Sequence, residues 1–199
     1  MKILLAALLF AAGSALAGTV GQPAPEFTLA DVSGKPVKLS DFRGRYVVLE
    51  WVNPECPYVE KHYGSANMQG LQKDYTAQRV VWLTINSTRE SHSEYYPPQK
   101  MAGWTKQVNA APSATLLDPT GKVGRAYEAR TTPHMYIVDP QGQLVYAGGI
   151  DDKRSTRQAD VKTAKNYVRA AMGEALAGKP ISAASTSPYG CSIKYGSSM

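Results

Sequence analysis

The sequence predicts an α/β fold, with a mixed β-sheet sandwiched between helices. Three observations carry that reading. First, YVVLEWV (46–52) and RVVWLTINS (79–87) are β-branched, aromatic and mostly apolar throughout, which suits central strands buried on both faces. Second, strand-like runs alternate with stretches of helical length, and that alternation builds a sheet covered by helices. Third, the chain closes with strand, turn and strand, followed by a segment with apolar residues at helical spacing.

Each element follows in order. PEFTLADVSGKPVKLSDFRG (25–44) reads as a β-hairpin, its arms Glu26–Ala30 and Pro36–Leu39 flanking the turn chemistry of Asp31, Val32, Ser33 and Gly34. A short helical turn at Ser40–Gly44 leads into the first buried strand. Pro57 is well placed as the first residue of a helix, where its missing N–H costs nothing. That helix is expected to run to about Tyr75, with Gly64 and Gly70 as irregularities. After the second buried strand come a polar, aromatic loop closed by Pro97 and Pro98, a helix over Gln99–Asn109, a strand over Ser113–Asp118 and a short helix over Lys122–Glu128. His134–Asp139, the turn Pro140-Gln141-Gly142 and Leu144–Gly149 form a second hairpin. Val161, Ala164, Tyr167, Val168, Ala171 and Leu176 mark a helix from Asp160 to Ala177, stopped by Gly178.

The chain has 199 residues and divides into three parts. Lys2, the apolar run Ile3–Ala12 and the small residues ending in Ala15-Leu16-Ala17 have the layout of a signal peptide cleaved after Ala17. That run is shorter than the roughly 20 residues a membrane span needs. Residues 18–181 make one domain, long enough for a sizeable core. Residues 182–199 are rich in Ser, Ala, Thr and Gly and read as a flexible tail. The mature chain is thus expected to be exported, to the periplasm, without a stable membrane span. The net charge is +6, but Lys and Arg are scattered singly, so nothing points to nucleic acid.

The two cysteines carry the chemistry. Cys56 lies between Pro54-Glu55 and Pro57, where a buried strand gives way to a helix. A thiolate, not a thiol, is the nucleophile, and a helix N-terminus favours the anion through its free N–H groups and its dipole. Glu60 and Tyr63 share a helical face with Cys56, whereas Lys61 and His62 do not, so spacing names no catalytic base. The competing reading is a small buried hydrophobe. The strand-to-helix position favours a reactive, accessible thiol.

VVLEWVNPECP (47–57) resembles the strand and active-site turn of the thioredoxin-like superfamily. The segment from Ala24 to Trp51 is similar to the opening of the peroxiredoxin (alkyl hydroperoxide reductase/thiol-specific antioxidant) branch and its thiol–disulfide oxidoreductase relatives. RTTPHMYIVDPQGQLVYAGGI (130–150) resembles the later part of the same fold. The resemblance spans roughly Gly21 to Ala177. It implies a thioredoxin-like domain with an N-terminal hairpin, with Cys56 in the place of the first active-site cysteine. It also implies that Pro133, after Thr132, is a cis-proline facing the sulfur. Val59 stands where a C-x-x-C motif would have its second cysteine. Leu49 and Asn53 stand where the peroxiredoxin pattern P-x-x-x-T-x-x-C has Pro and Thr.

Around this centre, Asn53, Pro54, Glu55, Pro57 and Thr132 are expected to shape the site. Arg130 either faces the sulfur as a stabilising cation or is a solvated surface residue. Tyr58, Tyr63, Tyr95 and Tyr96 are candidates to line a nearby pocket. Cys191 has three open readings: a resolving cysteine for Cys56, half of a permanent structural bridge, or a free thiol reacting with partners. Tyr189, Ile193 and Tyr195 beside it are apolar enough to dock the tail.

The expected function is that of an exported thiol-dependent oxidoreductase acting on a protein disulfide or a peroxide. Cys56 is the nucleophile, Cys191 resolves it, an external thiol is the reductant and no cofactor is needed. The alternatives are a non-catalytic redoxin-like binding module and, with less support, a metal carrier. His62, His92 and His134 lie far apart in sequence and show no ligand spacing.

Overall fold

A computed structural model describes residues 18–196; the expected signal peptide lies outside them. Seven strands form one mixed sheet, in the order β2-β1-β5-β4-β3-β7-β8. β1 (Thr28–Asp31) and β2 (Pro36–Lys38) are the N-terminal hairpin. β3 (Val47–Trp51) and β4 (Val81–Asn86) are parallel neighbours at the centre, and β5 (Ala114–Leu117) extends the parallel block. β7 (His134–Val138) runs antiparallel to β3, and β8 (Leu144–Gly148) forms the far edge.

The apolar runs became central strands because helices cover both faces of the sheet. Every residue of β3 and β4 is buried. Val48, Trp82 and Ile137 belong to one apolar layer, while Leu49, Trp51 and Ile85 belong to the other. Full burial of each such side chain contributes roughly 1.5–3 kcal/mol, so this paired core is the main stabilising term.

Two helical expectations change. The segment after Cys56 splits into α1 (Pro57–Gly64) and α2 (Asn67–Thr76), parted at Ala66, whose φ is +59°. Gly64 closes the first helix, but Gly70 lies within the second. α3 (Pro98–Gln107) and the short α4 (Lys122–Ala126) follow as expected. The last helix, α5 (Tyr167–Leu176), starts later than Asp160 because the Asn166 side chain caps it, accepting from the Arg169 N–H at 2.8 Å. Residues 158–163 form a separate 3₁₀ turn. Among the described residues, no helix is long and apolar enough to cross a membrane.

The largest departure concerns the tail. Residues 184–196 lie docked along the domain rather than loose. Ser185 bridges Ala147, and the Thr186 N–H donates to the Ala147 carbonyl at 3.1 Å. β9 (Cys191–Ser192) pairs antiparallel with β6 (Thr131–Thr132), the two residues before Pro133. Beyond it, the Ile193 N–H donates to the Arg130 carbonyl at 3.1 Å, and the Tyr195 hydroxyl donates to the Ala129 carbonyl at 2.7 Å. Composition alone suggested a flexible tail. Three aromatic or aliphatic side chains and a run of backbone pairs decide otherwise, by giving the segment partners that offset its ordering entropy.

Candidate active site around Cys56 and Cys191

β3 ends at Trp51, and a tight turn brings Cys56 to the N-terminal cap of α1. Asn53 builds that turn. Its carbonyl accepts from the Cys56 N–H at 3.0 Å and its side-chain oxygen accepts from the Glu55 N–H at 2.9 Å. Pro57 then starts the helix, and the Cys56 carbonyl accepts from the N–H groups of Val59 and Glu60. Glu55 is exposed and accepts a hydrogen bond from the Tyr96 hydroxyl at 2.7 Å. Pro54, Val59, Glu60, Tyr63, Tyr96 and Trp104 line a cavity of about 610 Å³ beside the turn.

Facing this turn is the loop before β7. The Thr132–Pro133 bond is cis, and the Thr132 carbonyl lies 3.0 Å from the Cys56 sulfur, placed to accept from its thiol. The Cys191 sulfur lies 2.7 Å from the Cys56 sulfur. Thus 135 residues of sequence separation close to a direct contact, because β9 pairs with the loop that faces Cys56. Gly190 permits this path. Its φ is +139°, and a Cβ there would clash with the Thr132 carbonyl oxygen.

The expectation of an accessible Cys56 needs correction. It is only 1% exposed, because the tail lies over it, whereas Cys191 is half-buried. Burial, reinforced by its contact with Cys56, pushes the Cys191 thiol up to about 12. Near neutral pH that group stays protonated.

The remaining expected site residues fall into place unevenly. Asn53, Pro54, Glu55, Pro57 and Thr132 all lie on the two segments that meet at the sulfur pair. Arg130 is exposed, and its guanidinium makes no hydrogen bond among the described residues; its contribution is the backbone carbonyl that holds Ile193. Tyr58 stacks edge-on against Tyr189, at 5.7 Å between ring centroids, away from the cavity that Tyr63 and Tyr96 line. His134 is buried, its Nδ1 accepts from the Arg130 N–H at 3.3 Å, and it is pushed down to about 3 by that burial.

Two polar clusters went unseen in the sequence. Glu50, in the middle of β3, is fully buried. Trp82 Nε1 donates to its carboxylate at 2.7 Å and the Tyr63 hydroxyl at 2.8 Å, with Gln72 and Thr84 completing the shell. Burial outweighs those donors and raises Glu50 to about 7. The available signal was a single carboxylate inside an otherwise apolar central strand.

The second cluster seats the tail. Lys61 is fully buried, with its Nζ 3.4 Å from Asp151, 2.6 Å from the Lys153 carbonyl and 3.1 Å from the Tyr189 hydroxyl. That hydroxyl donates to Asp151 and also meets His62 Nε2 at 3.1 Å. Asn67 donates to His62 Nδ1 at 2.9 Å, which leaves the proton on Nε2 to point at Tyr189. Burial holds His62 down at about 4, so it is neutral here. Lys61 and His62 therefore act on the tail, by fixing Tyr189 two residues before Cys191. Among the described residues, no group of three or more His, Cys, Asp or Glu is arranged to hold a metal.

Comparison with known proteins agrees with this fold. Residues 20–147 match the AhpC/TSA family. The chain belongs to that family. It is a thioredoxin-like redoxin. It is 29% identical over 156 residues to the thioredoxin-like protein YneN of Bacillus subtilis, covering 71% of this chain and 79% of that one. It is 25% identical over 132 residues to the thiol-disulfide oxidoreductase ResA of the same organism, covering 63% of this chain and 64% of ResA. A crystal structure of an uncharacterized conserved protein from Geobacillus kaustophilus superposes with a TM-score of 0.79 at 28% identity, covering 92% of this chain and 95% of that one. The last similarity extends over nearly the whole of both chains.

Proposed function

We propose that the protein is an exported thiol-dependent oxidoreductase whose working parts are Cys56 and Cys191, cycling between dithiol and disulfide. The observation that carries this reading is the 2.7 Å approach of the two sulfurs under the cis-proline loop. Cys56 supplies the thiolate that makes the bridge or leaves it, since it sits at a helix N-terminus, whose free N–H groups and dipole favour an anion. Cys191 takes the role that an adjacent second cysteine plays in a C-x-x-C motif. A bridge and a dithiol interconvert by two successive thiolate attacks through a mixed disulfide. A protein disulfide or dithiol is the substrate class favoured by the names of the relatives, and an external thiol restores the cycle. Export rests on the N-terminal sequence and on the oxidising compartment that such a pair suits.

A second oxidant, peroxide, is favoured by one observation. Cys56 is covered by the tail, and a small oxidant reaches a covered sulfur with less rearrangement than a protein does. The Cys56 thiolate would take one peroxide oxygen to give sulfenic acid and release an alcohol or water. Cys191 would then condense with it, expelling water and leaving the bridge.

The test uses the mature protein with Cys56→Ser and Cys191→Ser. After mild oxidation, intact mass should show the loss of two hydrogens in the wild type and in neither variant. Steady-state assays with a protein disulfide and with hydrogen peroxide then assign the oxidant; Cys56→Ser should abolish whichever turnover exists. Two free thiols in the oxidised wild-type protein would end this reading and leave a binding module.

A further inference from the structure

The two sulfurs of the pair differ in a way that assigns them separate parts in opening the bridge. Cys56 is 1% exposed, beneath the tail, against the Thr132 carbonyl and in the same apolar layer as the fully buried Val48. Cys191 is half-buried, on a strand whose other residue, Ser192, is exposed. The covering segment is held on both sides. Tyr189 is locked into the Lys61–Asp151–His62 seat, and the backbone of Ile193 and Lys194 is bonded to Arg130 and Arg89. Between those anchors only three residues, Gly190 to Ser192, cross over Cys56. The crossing lies where β9 occupies the edge of the Thr132 loop, so that edge is not free to receive another extended segment.

We infer that an external thiol opens the Cys56–Cys191 bridge by attacking Cys191, the more exposed sulfur near the far end of the chain, and not Cys56. This assignment rests on the proposed dithiol–disulfide cycle and names its entry point. The electrons balance in two steps. An incoming thiolate bonds to the Cys191 sulfur, the Cys191–Cys56 bond breaks, and its electron pair leaves on Cys56 as a thiolate. A second external thiolate attacks the sulfur of the first, forming an external disulfide and releasing Cys191, which takes up a proton. Two external thiols are oxidised by two electrons and the bridge is reduced to two thiols.

Leaving-group chemistry points the same way as access. The thiol that holds its proton less tightly leaves faster. Attack on Cys56 would expel Cys191, whose thiol burial has pushed up. Attack on Cys191 expels Cys56 at the N-terminus of α1, where free N–H groups favour a departing anion. The seat of Tyr189 is what keeps the polarity one-sided: it holds the lid over one sulfur while presenting the other. By the same reversibility, a disulfide that oxidises the pair through this route engages Cys191 first, whereas an oxidant as small as a peroxide still reacts at Cys56.

The experiment treats the oxidised full chain with 2-mercaptoethanol, a monothiol, and quenches with acid at early times, when thiolates are protonated and exchange stops. Pepsin digestion in acid and mass spectrometry then locate the adduct. Adducts on Cys191 should exceed those on Cys56 by about tenfold or more. In Tyr189→Phe, which keeps the ring and loses the hydroxyl, the ratio should fall toward parity. A wild-type ratio near one, or adducts chiefly on Cys56, overturns the assignment while leaving the cycle intact. An oxidised chain with no bridge before the thiol is added overturns both.

Discussion

The two halves of the site are built in opposite ways. Cys56 is held by the most buried part of the molecule: a central strand, a turn fixed by Asn53, and a helix begun by Pro57. Cys191 is held by a two-residue strand in a segment otherwise without regular structure, and its position depends on distant side chains. A reactive sulfur on a rigid element needs little further support. A sulfur on a tail needs anchors on both sides, and here these are a tyrosine in a buried charged seat on one side and a backbone ladder with Tyr195 on the other. Changing the anchors should therefore displace Cys191 and uncover Cys56 while leaving the Cys56 turn in place.

The largest break in that contrast should come from Lys61→Met. Removing one partner of a buried ion pair leaves Asp151 uncompensated, and such changes cost about 3–5 kcal/mol. Denaturant unfolding measures the loss, and limited proteolysis should cut first within 184–196. A variant as stable as wild type with a protected tail would show that the seat is not what holds it. Next comes Gly190→Ala. Its Cβ would overlap the Thr132 carbonyl oxygen, so β9 must lift from β6. A cost of about 2 kcal/mol is expected from such a backbone conflict. Bridge closure in a glutathione redox titration should weaken with it, while alkylation of Cys56 in the reduced protein becomes faster.

Tyr189→Phe is milder. It deletes a buried hydroxyl that links Lys61, His62 and Asp151, at a cost of about 1–2 kcal/mol. The bridge's equilibrium constant against glutathione should drop by about the corresponding tenfold, and unchanged closure would separate anchoring from redox chemistry.

The smallest effect concerns Glu50, on the rigid side. Its folded pKa, about 7, lies above its unfolded value, so its contribution to stability is fully present below the unfolded pKa near 4.5 and is lost as pH rises through 7. His62 and His134 run the other way. Their folded values are depressed, so their contribution is present above about 6.5 and is lost as pH falls toward 4 and 3. The two trends oppose each other in the wild type. Glu50→Gln should uncover the histidine trend. Its unfolding free energy relative to wild type should rise between pH 5 and pH 8 by about 1–3 kcal/mol, because each tenfold change in proton affinity between the folded and unfolded carboxyl is about 1.4 kcal/mol. An identical pH profile for the two proteins would refute a protonated, buried Glu50.

The local parts of the site were legible. Strand runs, turn residues and proline at a helix start are signals of a few residues, and they place Cys56 at its cap without any tertiary information. The motif resemblance also anticipated the cis bond at Pro133. Other features left no local trace. Lys61 and His62 look like ordinary helix residues, and only the distant Asp151 and Tyr189 turn them into a seat. Glu50 was absorbed into an apolar run. The Ser- and Gly-rich composition of 182–199 pointed to a flexible tail; Tyr189, Ile193 and Tyr195 offered side chains to dock it, but the residues they meet lie far back in the chain.

By itself, then, the sequence determined the alternation of strands and helices, the buried central strands and the placement of one thiol at a helix start, because period, turn chemistry and proline geometry act over short range. Only the tertiary structure decided that the second thiol meets the first, which of the two faces solvent, and what holds the lid in place. Those depend on backbone pairing and on burial of charge between segments about a hundred residues apart or more, where hydrogen bonds and desolvation are set by whichever groups the fold brings together.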